Sequence, residues 1–179
     1  QNQLVTFVQN PANKIKKDIM VQCPACYAHL REAQHALKLE DEMTEGIHEV
    51  LNKKVDPSLN IKHFSEILVH EYGMDKLEEK RVKSLEGLKV ASYYGCVIVR
   101  PKKVMAYDDP ENPQLMDQLI TMTGATAIDW PFKTKCCGAG NSISRTEVVL
   151  DLTYEILRMA KQNGAERSEE HTSELQSPY

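Results

Sequence analysis

No stretch of about 18 consecutive apolar residues occurs in the 179 residues of the chain, so nothing in it reads as a membrane-spanning helix. No basic segment leading into a short apolar core opens the sequence, so no secretory signal is legible. Gln1 rather than Met stands first, and the sequence reads as one whose native start lies further upstream. Basic runs are missing too. The formal net charge is −4, and most of it falls in residues 166–179. That balance excludes the basic footprint of a nucleic-acid binder and the polybasic stretch that anionic lipid attracts. No internal repeat stands out.

What is present is ordinary in bulk: 41% hydrophobic and 27% charged residues describe a soluble globular protein, long enough for one domain or two small lobes. The cysteines are not ordinary. There are five, an odd number, in a chain without an export signal. A secreted disulfide framework does not suit that count, and closely spaced cytosolic thiols point to metal binding or redox chemistry.

Along the chain, residues 18–22 read as a strand ending at Cys23. From Cys26 the spacing of Leu30, Ala33, Ala36 and Leu37 is helical. A second helix is expected over 44–54, a short strand over 61–64, and a helix from an N-capping Ser65 to Tyr72 with Gly73 as its stop. The charged stretch 74–86 reads as an exposed helix and linker. Residues 88–94 form the next expected strand, with Gly95-Cys96 at its end. Asn112 and Pro113 are placed to start a helix with Leu115, Met116, Leu119 and Ile120 on one face, and Gly124 to stop it. Residues 125–130 read as a strand. A loop with Cys136-Cys137-Gly138 follows, then a long helix opened by a Ser144/Glu147 capping box. Its apolar face runs from Val148 through Val149, Leu152, Ile156, Leu157, Met159 and Ala160. Alternating strands and helices predict an α/β fold with a short parallel sheet flanked by helices. The tail after Ala165 has one aliphatic residue and no periodicity. It reads as a non-native extension outside the fold.

Cys23-Pro24-Ala25-Cys26 is a C-x-x-C at a strand-to-helix junction, where exposed N–H groups and the helix dipole favour thiolate. Taken alone it also admits a thioredoxin-like dithiol, a structural zinc site or a buried inert pair. Cys136-Cys137-Gly138 is more unusual. Neighbouring side chains diverge, so two adjacent cysteines rarely chelate one ion, but they can ligate different irons of a cluster. Gly138 would relieve the backbone there. Cys96, at the end of the preceding strand, would join them at the carboxyl edge of the sheet, where open α/β sheets place ligands.

The run Ala91-Ser92-Tyr93-Tyr94-Gly95-Cys96, then Arg100-Pro101, residues 108–113 (DDPENP), Asp129-Trp130-Pro131 and Cys136-Cys137-Gly138 resembles the cysteine-rich CCG domain of the B-type subunits of heterodisulfide reductase. Cys23-Pro24-Ala25-Cys26-Tyr27 resembles the end of a preceding domain of the same kind. The resemblance implies two incomplete, pseudo-repeated CCG lobes. Residues 1–86 would be the remnant of the first plus a helical linker, 87–165 the opening part of the second, and 166–179 a disordered tail. It implies noncubane [4Fe–4S] clusters, two in the full-length protein, with Cys23 and Cys26 on the first and Cys96, Cys136 and Cys137 on the second. It further implies an oxidoreductase subunit that cleaves a disulfide, such as the mixed disulfide of coenzyme M and coenzyme B, between the clusters. Its partners would be flavin-containing and ferredoxin-like subunits, and it would be cytoplasmic or peripheral to a membrane complex. With neither ligand set complete, the fragment alone is expected to be inactive.

Two rival readings stay open: a CCG iron–sulfur subunit of another oxidoreductase, of the glycolate or lactate oxidase or thiol:fumarate reductase type, and a zinc-binding module without chemistry. Arg100 is expected at the surface or near an anion. Tyr27, Tyr93 and Tyr94 are expected in the core or on sulfur, and His29, His35, His48, His63 and His70 in structural roles.

Overall fold

A computed structural model describes residues 17–39, 41–52 and 56–170. The order of elements is β1 (Ile19–Val21), α1 (Pro24–Leu39), α2 (Asp41–Leu51), β2 (Ile61–His63), α3 (Phe64–Glu66) running into a π-helix (Ile67–Gly73), α4 (Met74–Glu79), β3 (Lys89–Tyr93), α5 (Lys102–Met105), α6 (Leu115–Met122), β4 (Thr126–Ala127), a 3-10 turn (Ala139–Asn141), α7 (Thr146–Gln162) and β5 (Arg167–Glu170). The fold is α/β, with two short parallel sheets flanked by helices. β1 pairs with β2, Ile19 opposite Ile61 and Val21 opposite His63. β3 lies between β4 and β5. Among the described residues no helix is long and apolar enough to cross a membrane.

α1 buries Tyr27, Leu30, Ala33 and Leu37 on one face, as its helical spacing demands. Gln34 on that face is also buried, and its amide is satisfied by donating to the carbonyls of Pro57 (2.8 Å) and Leu59 (2.6 Å). The largest core joins these residues to Tyr94, Ile98, Val99, Met105, Tyr107, Leu115 and Met116, so it draws on both sides of Gly87. A second core of Ala91, Tyr93, Trp130, Ile156 and Ala160 holds α7 against β3.

Several helix starts differ from the sequence reading, and at two of them a group other than the expected residue takes the cap. His63, not Ser65, caps α3: its ring accepts from the Ser65 N–H while the Glu66 carboxylate accepts from the His63 N–H. Asn112 does not cap α6. The Asp108 carboxylate accepts from the N–H groups of Gln114 (2.7 Å) and Leu115 (2.9 Å), and the Tyr94 hydroxyl from those of Met116 (2.9 Å) and Asp117 (3.3 Å). The Ser144/Glu147 capping box is not formed. α7 starts at Thr146 after an Arg145 that makes no side-chain cap, and the Thr146 hydroxyl donates to the Ser142 carbonyl. Of the apolar face expected for α7, Ile156 and Ala160 are buried, whereas Leu157 is largely exposed. α2 begins at Asp41, earlier than expected, and residues 53–55 lie outside the described set. Within the tail set apart by its composition, residues 167–170 pair in parallel with β3, and 171–179 lie outside the described residues.

The strand expected over 125–130 is shorter, and the reason bears on the site. Ile128 still donates to the Val90 carbonyl, but the next acceptor on β3, the Ser92 carbonyl, is taken by the Trp130 indole N–H at 2.9 Å. Beyond it the Tyr94 and Gly95 N–H groups donate to the Lys133 carbonyl, at 2.8 and 3.1 Å. On the β4 side, the chain at the end of β3 is thus paired with a loop rather than a strand, while β5 follows β3 to Tyr93 on the other side. That loop is anchored from below. The Lys133 side chain is 5% exposed, and its ammonium lies 2.6 Å from the buried Asp117 carboxylate on α6, which also accepts from the Ser92 hydroxyl.

Removing one partner of a buried ion pair leaves the other charge stranded in the interior. Lys133→Met is therefore expected to lower stability by about 3–5 kcal/mol in urea unfolding. The double variant Lys133→Met/Asp117→Leu should lose much less, and a double variant at least as unstable as the single one would refute the pair's role.

Candidate functional site

Cys96 follows Gly95, whose φ of +64° turns the chain out of β3. The Arg100 N–H closes the turn on the Cys96 carbonyl at 3.0 Å. Across from it, the loop stapled by Trp130 and Lys133 delivers Cys136 and Cys137. Tyr93 adds a further staple, its hydroxyl donating to the Lys135 carbonyl at 2.6 Å. Lys135 itself lies over the Phe132 ring at 4.1 Å and pairs with Glu155 of α7 at 2.6 Å.

The result gathers three thiols and a phenol at the carboxyl end of β3. The Cys96 thiol lies close enough to Cys136 and Cys137, and the Tyr93 phenol to all three thiols, for their charges to interact. Burial pushes the Cys96 thiol up to about 11, and the neighbouring thiols Cys136 and Cys137 push the same way. Tyr93 is raised by burial first and then by Cys137, Cys96 and Cys136. Cys136 is exposed while Cys96 and Cys137 are half-buried. An apolar cavity of about 270 Å³, lined by Tyr93, Trp130, Cys137, Val149, Ile156 and Leu157, opens beside Cys137.

Comparison with known proteins matches residues 90–168 to the cysteine-rich domain family CCG. Residues 90–168 belong to the CCG family. It is 33% identical over 135 residues to the B-type subunit of the ferredoxin:CoB-CoM heterodisulfide reductase of Methanosarcina mazei, an alignment that covers 74% of this chain and 45% of that protein. The corresponding subunit of the ferredoxin/F(420)H(2)-dependent CoB-CoM heterodisulfide reductase of Methanosarcina acetivorans is 32% identical over the same shares. More distantly, the 8-methylmenaquinol:fumarate reductase membrane anchor subunit of Wolinella succinogenes is 25% identical over 94% of this chain and 59% of its own length. The chain thus spans about half the length of the curated relatives it matches.

The matched CCG segment contains Cys96, Cys136 and Cys137; Cys23 and Cys26 precede it. Cys23 follows β1, and Cys26 sits in the first turn of α1, its N–H donating to the Cys23 sulfur at 3.4 Å. The Tyr27 N–H donates to the Cys23 carbonyl at 2.9 Å. Both groups of thiols expected from the sequence therefore stand at carboxyl ends of strands, one on each sheet. Among the described residues no three His, Cys, Asp or Glu side chains are arranged as ligands of a single ion. The donor chemistry fits a cluster better, because its irons are spread and adjacent thiolates can reach different ones.

Arg100 is half-exposed and pairs with Glu111 at 3.0 Å, the surface role expected of it. Tyr27 and Tyr94 are core residues whose hydroxyls meet backbone, Tyr27 donating to the Met105 carbonyl at 2.8 Å. His63 is buried and structural. The positioning groups Lys133, Asp117 and Ser92 escaped the sequence reading. Their one signal was an acidic residue, Asp117, inside the apolar run of α6.

Gly138 relieves the backbone of the thiol loop, as its position suggests. It has φ +76°, and a methyl group on it would meet the Leu152 side chain of α7 at 2.9 Å. Its N–H donates to the Cys136 sulfur at 3.3 Å. The Leu152 methyl can yield, so the left-handed backbone carries most of the penalty. Gly138→Ala is expected to cost about 1–2 kcal/mol, measured by thermal unfolding. Leu152→Ala in the same chain should recover only a small part of it.

Proposed function

We propose that this chain is part of an iron–sulfur oxidoreductase subunit of the heterodisulfide reductase B type, in which Cys96, Cys136 and Cys137 bind one [4Fe–4S] cluster of noncubane type and Cys23 and Cys26 another. The observation that carries the reading is the convergence of Cys96, Cys136 and Cys137 at the end of β3, in a loop held there by Trp130, Lys133 and Tyr93. Cysteine sulfurs are the ordinary donors of an iron–sulfur cluster, which binds them as thiolates.

When bound, the clusters supply electrons and an iron acceptor for sulfur, the chemistry of reductive disulfide cleavage. The chain's own residues hold and shield them. Tyr93 engages Lys135 and lies against Cys137, and the apolar wall of Trp130, Val149 and Ile156 keeps the sulfur side of Cys137 in a low-dielectric setting. The disulfide substrate is the one named for the methanogen relatives or an analogous thiol pair, and flavin-containing and ferredoxin-like subunits complete the electron path. The relative named for menaquinol and fumarate makes a CCG subunit of another oxidoreductase the second reading.

Metal and sulfide analysis of anaerobically purified protein tests the assignment. Residues 1–179 offer three thiols to one site and two to the other. They are expected to take up iron and sulfide below one full cluster per chain, and to show no disulfide reduction with a chemical electron donor. Stoichiometric brown protein would overturn the incomplete-site prediction, and one zinc per chain without visible absorbance would overturn the cluster reading. In the complete subunit, Cys96→Ser, Cys136→Ser and Cys137→Ser should each abolish one electron paramagnetic resonance signal, and Cys23→Ser and Cys26→Ser the other.

A further inference from the structure

The residue before the C-x-x-C pair is held by a buried chain of polar groups that the proposed chemistry does not use. The Gln22 carbonyl, one peptide ahead of Cys23, lies 2.8 Å from His63 Nε2. A carbonyl can only accept, so Nε2 carries the proton and Nδ1 is the acceptor. Nδ1 lies 2.9 Å from the Ser65 hydroxyl, and that hydroxyl lies 2.7 Å from the Tyr107 hydroxyl. The polarity of the chain follows: Tyr107 donates to Ser65, Ser65 to His63, and His63 to Gln22. Burial lowers the His63 pKa, which keeps the ring in the neutral form this direction requires. The three rings of Tyr27, His63 and Tyr107 meet edge-on, with centroids 5.6–6.2 Å apart.

This chain links the two thiol sites. Tyr27, next to Cys26, donates to the Met105 carbonyl of α5. The Met105 N–H in turn donates to the Pro101 carbonyl, beside the Arg100 that closes the Cys96 turn. Tyr107 follows α5 by two residues. Both ends of the C-x-x-C turn are thus bound to the segment that leaves Cys96.

We propose that His63, Ser65 and Tyr107 are positioning residues that fix the C-x-x-C turn against the segment following Cys96, and so set one thiol site relative to the other. The proposal rests on the assignment of Cys23 and Cys26 as cluster ligands only for its catalytic meaning. Its test is run on metal-free full chain and does not depend on that assignment, which the serine variants decide separately.

Amide hydrogen exchange over residues 22–28, read by mass spectrometry, is the measurement. His63→Leu is expected to speed exchange there about fivefold, the scale of one lost hydrogen bond, with α6 unchanged. His63→Gln, which keeps an amide donor for the Gln22 carbonyl, should restore protection. Tyr107→Phe removes one hydroxyl and keeps the ring, so it stays folded if His63→Leu does not; it should give a smaller rise in the same segment. The double variant should match His63→Leu alone, because both act through one chain. Unchanged exchange over 22–28, an equal rise in α6, or multiplied effects in the double variant would each overturn the proposal.

Discussion

The structure around the thiols depends on one buried ion pair, Lys133 with Asp117. Lys133 also reaches the exposed Asp129 at 3.2 Å, but its buried partner is Asp117; a buried charge without a partner is costly, so the loop that carries Lys133 passes over the start of α6. That fixes the Lys133 carbonyl where the Tyr94 and Gly95 N–H groups can reach it. The peptide groups just past β3, those of Tyr94 and Gly95, are then satisfied by a loop, β4 stops early, and the chain turns Cys136 and Cys137 toward Cys96. A continued β-ladder would have satisfied the same backbone groups and carried residues 130–135 away along the strand direction. The ion pair thus decides that the sheet edge becomes a site.

Much of the fold was legible because it follows from local rules. The helical spacing from Leu30 to Leu37, the glycine stop at Gly124 and the strand before Cys96 are set by side-chain periodicity and backbone freedom, and the structure has them. The errors cluster at helix starts. A cap at Asn112 is a local pattern, and it yields where a distant group such as Asp108 or Tyr94 reaches the same N–H groups first. The site was legible in its thiols and not in its supports. Cysteine pairs announce themselves by spacing, whereas Lys133 and His63 look like ordinary polar residues until the tertiary fold buries them. Gly138 is legible in part: its φ of +76° gives the backbone relief the sequence suggests, while the closeness of Leu152 on α7 shows only in the fold.

Two thiol groups at the carboxyl ends of two separate sheets raise a mechanical question that each sheet alone cannot answer. The sheets share no strand. Their relative placement falls to the core between them, and that core is where the aromatic side chains Tyr27, Tyr94 and Tyr107 gather. Each of these buried tyrosines carries a hydroxyl that must find a partner, and each finds it across the chain rather than locally: Tyr27 at Met105, Tyr94 at the start of α6, Tyr107 at Ser65. A purely aliphatic core would bury comparable area but permit sliding, because dispersion contacts are not directional. Hydroxyls held by directional hydrogen bonds, as donor or as acceptor, remove that freedom.

The electrostatics of the two sites then differ for a reason visible in the backbone. Cys23 sits where the first turn of α1 presents an N–H to its sulfur, a setting that supplies partial positive charge to a thiolate. Cys96 instead follows a strand and a glycine turn. Its neighbours include two more thiols and a buried phenol, and its proton affinity rises with its burial and with that company. Gly138 offers Cys136 a comparable N–H, at 3.3 Å. The two sites therefore differ in the company around the sulfur rather than in the number of backbone donors: a helix start beside Cys23, and two further thiols and a buried phenol beside Cys96. A CCG loop of this kind is held in place by its distant staples rather than by attraction among its cysteines. Trp130 accordingly acts at the Ser92 carbonyl, Lys133 through its own carbonyl on the Tyr94 and Gly95 N–H groups, and the Tyr93 hydroxyl at the Lys135 carbonyl, all on the backbone around the thiols.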